Sequence, residues 1–491
     1  DGLLVHGRDG IEPGDVIVSN HGATLGQHLN NVAMYTPVHA GPNEDELVGF
    51  MAVIVHWIDI GGIVVGSAAT AKTTDLFQEG LQLRSVKLWS RGERVADIYR
   101  IIDTNTRFPQ LMRGDIESQL AGCLMGRDMF RGVVAKYGLA TVRAAIERMW
   151  DRSERAARDA IRAIPDGTYR AASFLDDDTI DLDRRVPVEA VVTVAGDAMT
   201  VDLSGVSAQV KGPINSGREG GAVTAARIAF KYLVAPDEPA NDGTFRPLTV
   251  VIPDGRFLSA TGAAPMGGYS TPLPTVIDTI MHTMVDAMPA HVAAGHHANF
   301  GIHSFSGIHP QTGTLFNCHG TLHGGWGASQ GHDGPGPYKT MAHGDTLDVP
   351  VEMQEVLYPI RIEQQTIRAD SGGAGEFRGG FGLEKVSTYL GEVRSNLHFE
   401  RTLCPPWGVR GGKDGASPRV WLERDGQHPA EREHHQASQR QQHGIGHNLA
   451  DHEPETDWRE LCWGICLRGS CVGRSRRSGH DASPVLLGSI S

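Results

Sequence analysis

Cysteines, aromatic residues and basic charge are all in short supply in this chain, and each shortage removes a class of protein. Six cysteines in 491 residues are too few for a disulfide scaffold, and Cys123, Cys318 and Cys404 stand alone, which points to a reducing compartment. Forty-five basic residues against 58 acidic ones leave a net charge of −13, the wrong sign for a partner made of nucleic acid or anionic membrane. No basic segment followed by an apolar one opens the chain, so no signal peptide is expected; a first residue of Asp1 instead of Met suggests an incomplete N-terminus. The longest apolar run, Val48 to Ala69, reaches the ~20 residues of a membrane span but carries His56, Asp59, Gly61 and Gly62, and reads as two buried strands. With 40% hydrophobic residues the length suits two or three packed domains. Sixty-one glycines without a Gly-X-Y period exclude collagen and predict many tight turns.

Between Gly10 and Leu88 the β-rich runs DVIVSN, NVAMYTPV and LVGFMAVIVHWIDI alternate with Gly, Asn and Pro, the pattern of a sheet with functional turns. From Asp115 to Ile164 the apolar spacing changes to three and four, predicting a long amphipathic helix stopped by Pro165, Asp166 and Gly167. Val186 to Leu203 reads as a hairpin turning at Ala195, Gly196 and Asp197. Helices over 220–233 and 274–288 and a strand over 248–252 follow, then a Gly- and His-rich region from His291 to His343. This mixture lacks a strict βαβ rhythm, so the expected class is α+β with more than one sheet. The expected organisation is a β-rich domain over 1–112, a helical segment over 113–185, an α+β domain with Gly-rich loops over 186–425, and a disordered or frame-shifted tail over 426–491. That tail holds Cys462, Cys466 and Cys471, whose spacing lacks the pairs of a zinc knuckle.

The segments SNHGATLGQHLNNVAMYTP and VIVHWIDIGG carry the first chemical signal. His28 and His56 fall at the ends of consecutive predicted strands, and Asp59 follows in a turn closed by Gly61 and Gly62. Nitrogen and oxygen ligands of this kind suit Zn²⁺, Mn²⁺ or Fe²⁺, provided they converge from separate strands. GSAATAKT, Gly66 to Thr73, imitates a phosphate-binding loop but has Ala71 where the loop needs its second glycine; ATP, if used, is expected on another chain. Glycine-rich stretches at 212–215, 264–272, 324–337 and 370–382 read as close-packing turns or as backbone devices beside a cleft. Ser371 is not in a G-x-S-x-G nucleophile elbow.

These segments, with FQEGLQL, NTRFPQLMRGDIESQLAG, DLSGVSAQVKGPINS, NDGTFRPLTVVIPDG, GGWGASQGHDGPGP, RADSGGAGEFRGGFGLEK and ERTLCPPWGVRGG, follow one order across most of residues 10–412. Together they resemble the hydantoinase B / 5-oxoprolinase family, which includes the α subunits of acetone and acetophenone carboxylases. The resemblance implies a cytoplasmic subunit working with a hydantoinase A-type partner that binds ATP. The partner would phosphorylate a small cyclic amide or ketone, and a divalent metal on this chain, Zn or Mn, would assist ring opening or carboxylation. It further implies that His28 matches the histidine of GGTHLxD and His56 the first histidine of an HHxDIGG-like turn, with Trp57 replacing the second. Asn31 takes the place of the HLxD aspartate, a weaker ligand that Asp59 or His21 would have to offset. His21 stands where relatives have the aspartate of NDPYxGG. Relatives also begin before Asp1, with a further ligand aspartate, and end in a GGGGYG-type motif. The activities implied are cyclic-amide hydrolysis, ketone carboxylation (the CPPWGVRGG segment is similar to those relatives), or a non-catalytic scaffold.

Overall fold

The short apolar runs near the N-terminus pair as one antiparallel sheet of order β3-β2-β1-β4-β5, with β1 Val16–Ser19, β2 Asn31–Ala40, β3 Glu46–His56, β4 Val86–Ser90 and β5 Glu93–Arg94. The computed structural model describes residues 1–40, 46–67, 72–344, 346–423 and 485–490. Apart from strand Val485–Ile490, the tail expected from residue 426, with Cys462, Cys466 and Cys471, lies outside the described residues.

The chain divides into two units: 1–167 with 193–201 and 208–269, and 168–192 with 202–207 and 270–491. Residues 1–112 and 113–167 lie in the same unit. Helix Pro109–Tyr137 lies on β2 and β3, and its Met112, Ile116, Leu120 and Cys123 share one core with Val32, Met34 and Trp57. Its apolar stripe is buried against that sheet, so helix and sheet fold as one body. Residues 186–425 are likewise shared between the two units.

The single amphipathic helix predicted across 115–164 is two. Gly138, at φ 80°, ends Pro109–Tyr137 and starts Leu139–Arg162, a backbone conformation that costs glycine little. The run from Val48, predicted as two strands, is the one long edge strand β3 followed by turns at Gly61 and Gly62. The helix covers one face of β3, where Gly122 and Gly126 lie against Val53 and Met51, whereas Ile54 on the other face is 60% exposed.

The predicted hairpin forms as Val186–Ala195 and Ala198–Asp202 around Gly196, φ 62°, in a sheet with Gly167–Leu175 and Leu248–Val251. The helix predicted over 220–233 forms as a π turn, Glu219–Val223, continued by Thr224–Val234; that over 274–288 ends early, as Leu273–His282. In the second unit, Ile302–Ile308 pairs with Leu315–Thr321 and Arg394–His398. Ile360–Ile367, Leu383–Tyr389, Val485–Ile490 and Arg419–Glu423 make a further sheet. The class is therefore α+β with several sheets. No helix among the described residues is long and apolar enough to cross a membrane.

Candidate functional site

The β2–β3 pair is clamped at one end. Asn31 stands opposite His56 in the register, and beyond them the Trp57 N–H donates to the Asn30 carbonyl while Asn30 Nδ2 donates to the Trp57 carbonyl, both at 2.8 Å. The buried Trp57 indole donates to Gln119 Oε1 (3.0 Å), and Gln119 Nε2 reaches the carbonyls of Val32 and Val53, each at 2.7 Å. Trp57, where the resemblance has a second histidine, thus ties the strand ends to the long helix. His28 opens the turn into β2, its carbonyl accepting from the Asn31 N–H at 3.2 Å. Gly26 just before it has φ 69°, and a Cβ there would fall 2.8 Å from the Gly217 Cα, so only glycine fits. With both backbones held, the rings of His28 and His56 meet at a centroid distance of 4.9 Å and an interplanar angle of 78°.

The two imidazoles differ. His56 is exposed. His28 Nε2 is buried and has no hydrogen-bond partner, and burial depresses the pKa of the ring to about 4, against opposing bonds from Asn31 and the Gly267 carbonyl. It is a neutral imidazole at physiological pH, with one nitrogen lone pair to offer. The Gly267 peptide that bonds the ring is anchored in turn: its N–H and that of Met266 donate to Glu79 Oε1 at 2.7 and 2.8 Å, and the Thr73 hydroxyl does so at 3.0 Å. Burial lifts the Glu79 carboxyl to about 7, and its Oε2 is buried without a partner. Tyr269 lies edge-on to His28 at 4.9 Å, and burial pushes its phenol up to about 12.

Asp59, expected beside the histidines, serves a different purpose. Oδ1 accepts from the N–H groups of Gly61 (3.1 Å) and Arg107 (3.0 Å), and Oδ2 from the Gly66 N–H and the Arg107 guanidinium, both at 2.8 Å. Its lone pairs hold the turn together and none is left for a cation. His21 is engaged locally, Nδ1 lying 2.8 Å from Thr24 Oγ1. Among the described residues no group of three His, Cys, Asp or Glu is placed to hold a metal. Two imidazoles bound to one divalent ion through bonds of ~2.1 Å at a tetrahedral or right angle have centroids about 5 Å apart, a spacing that the His28–His56 pair shares. The neighbouring Asn31 is an amide, and the expected carboxylate is absent from the corner. The described ends of the GSAATAKT segment are also spent on structure: Ser67 Oγ bonds the Gly61 carbonyl and the Ile60 N–H at 2.6 and 2.8 Å. Residues 68–71 lie outside the described residues.

The second unit holds a pocket of about 330 Å³ between the predicted Gly-rich loops 324–337 and 370–382 and the CPPWGVRGG segment, with Trp326, Trp407, Glu376, Arg410 and Lys413 among its lining. Its glycines serve backbone-to-backbone packing: a Cβ on Gly325 would sit 1.9 Å from the Gly380 carbonyl oxygen, and one on Gly327 1.8 Å from that of Ala294. Of the other two Gly-rich stretches, 264–272 supplies Gly267 and Tyr269 to the His28 corner. In 212–215, Asn215 closes a turn through Val210 and Gly212. Sequence reasoning missed Glu79, Gln27, Gly267 and Tyr269 as site residues. The first lies in FQEGLQL and the last two in APMGGYSTP, but nothing in one sequence shows that segments almost 190 residues apart meet.

Residues 3–452 match the family model described as Hydantoinase B/oxoprolinase. The chain belongs to the Hydantoinase B/oxoprolinase family. A relative within reach is the caprolactamase subunit beta of Pseudomonas jessenii, 31% identical over 413 residues, 83% of this chain and 70% of that protein. The crystal structure of the ATP-dependent caprolactamase from that organism matches with a TM-score of 0.74 and 28% identity, over 80% of this chain and 67% of that one. The 5-oxoprolinase 1 of Arabidopsis thaliana is 25% identical over 441 residues, 84% of this chain but only 33% of that longer polypeptide. An acetone carboxylase structure shares the fold, with a TM-score of 0.77 at 19% identity over 85% of this chain and 57% of that one. The family thus includes proteins named as subunits of ATP-dependent enzymes that act on cyclic amides.

Proposed function

We propose that this chain is the subunit of an ATP-dependent cyclic amidohydrolase that receives the activated ring, a hydantoin, 5-oxoproline or a similar lactam, from a hydantoinase A-type partner that binds ATP. A lactam is resonance-stabilised, and phosphorylating its carbonyl oxygen, the part assigned to the partner, makes the carbonyl carbon electrophilic: hydroxide adds, the ring C–N bond breaks with the nitrogen taking up a proton, and a second water releases phosphate from the acyl phosphate. The observation that carries the reading is the buried, unpartnered Nε2 of His28 beside the exposed ring of His56. A buried polar atom without a partner costs about 1–3 kcal/mol, and a ligand recovers that cost. A divalent ion, Zn²⁺ or Mn²⁺, would be held by these two imidazoles, and when bound it supplies a Lewis acid and a hydroxide at neutral pH. The chain's own residues prepare the corner: burial keeps His28 neutral, the Gly267 carbonyl orients its ring, and Glu79 fixes the Gly267 peptide. The names and lactam chemistry of the caprolactamase and oxoprolinase relatives support the substrate class.

The test is co-expression of the full chain with its ATP-binding partner, followed by ATP hydrolysis with and without hydantoin, 5-oxoproline or caprolactam. Ring-dependent turnover that His28→Ala reduces at least 100-fold is expected. ATP hydrolysis indifferent to every ring would sink the reading. Bicarbonate-dependent consumption of a ketone would make the chain a carboxylase subunit instead, and unchanged turnover in His28→Ala would make it a scaffold.

A further inference from the structure

Asn31 spends both of its amide protons. Nδ2 donates to Gln27 Oε1 and to Tyr269 Oη, each at 3.0 Å. An aspartate at this position has no proton to give, so a phenol beside it must donate. With asparagine the direction is reversed: Tyr269 accepts, and among the described residues no group accepts its own proton. That proton belongs to a half-buried phenol whose ring centroid is 4.9 Å from that of His28, the same imidazole that faces His56. A hydroxyl that accepts one hydrogen bond is also polarised into a better donor.

We propose that Tyr269 is a substrate-binding donor whose hydroxyl takes the carbonyl oxygen of the ring, or the oxyanion derived from it, and that Asn31 is the positioning residue that frees its proton. The ligand class follows from the chemistry: an oxygen acceptor, neutral or anionic, that reaches the His28–His56 corner. A cation in contact with Tyr269 is disfavoured, because a neutral phenol offers it only a weak lone pair already facing Asn31. The identity of the ligand as a cyclic amide rests on the function proposed above; the direction of the Asn31–Tyr269 bond rests on the geometry alone.

The direction can be read without substrate. In the Raman spectrum the tyrosine Fermi doublet separates phenols that accept hydrogen bonds from those that donate, and wild type minus Tyr269→Phe isolates this one among nine tyrosines. The full chain should show an acceptor-type doublet that becomes donor-type in Asn31→Asp, and that moves toward donor when hydantoin or caprolactam is added to the wild type. In the complex with the partner, Tyr269→Phe and Asn31→Asp should each raise KM for the ring about tenfold, the size of one net hydrogen bond, and the double variant should be no worse than either. A donor-type doublet in the ligand-free wild type, or a Tyr269→Phe enzyme with unchanged KM, would overturn the proposal. If no cyclic amide binds the wild type, the proposed substrate class fails, while the ligand-free doublets still decide the wiring.

Discussion

Asp59 lies three positions after His56, yet the corners they occupy treat buried polar atoms in opposite ways. At Asp59 five hydrogen bonds, two of them from Arg107 and one from the Thr106 hydroxyl, saturate one carboxylate. At His28 a buried ring nitrogen is left with nothing to bond. Saturation of that kind stabilises a turn, whereas an unsatisfied buried group is a standing cost that folding alone does not justify. The two corners therefore differ in kind, one holding the loop after β3 and the other leaving a buried nitrogen open.

The strongest way to break this contrast is Asp59→Ala. It strands the Arg107 charge and three N–H groups, and should lower stability by about 3–5 kcal/mol, read as a fall in the urea midpoint. Near-normal stability with lost metal binding would instead make Asp59 a ligand. A somewhat smaller effect belongs to Glu79. Its carboxyl is raised to about 7 in the folded chain, above the unfolded value of ~4.3, so the protonated form favours folding. That contribution is complete below the unfolded pKa and disappears as pH rises through about 7, a loss on the order of 3 kcal/mol. Unfolding measured across this window should show the decline in wild type and a flatter profile in Glu79→Gln. The smallest effect sharpens the comparison most: His28→Leu, which removes an unsatisfied nitrogen and keeps the volume, should stay within ~1 kcal/mol of wild type in the same assay while turnover is lost.

Local pattern made much of the fold legible. β-rich runs punctuated by Gly, Asn and Pro announced β1 to β3, the change to period three and four announced the helices, and Ala195-Gly196-Asp197 announced the hairpin. What failed were features decided by tertiary neighbours. Val48 onward is apolar enough for two buried strands, but only packing shows that β3 is an edge strand with one covered face. Gly138 looks like a tolerated helix glycine until its φ is known. At the site, the pairing of His28 with His56 followed from two strand ends, because adjacent antiparallel strands bring such ends together. The role of Asp59 did not, since Arg107 lies 48 residues further on. Glu79 and Tyr269 were hidden for the same reason: the Gly267 peptide joins them to His28 across nearly the full length of the first unit.

The pocket in the second unit has walls of peptide planes set so closely that most of its glycines leave no room for a methyl group. Its outline is consequently inherited with the main chain and is closed to gradual tailoring at those positions. Any relative that came to prefer a larger or differently charged guest there would have to change at the non-glycine lining, Trp326, Gln330, Glu376, Phe377, Trp407, Arg410 and Lys413 among it, side chains set on an otherwise rigid frame.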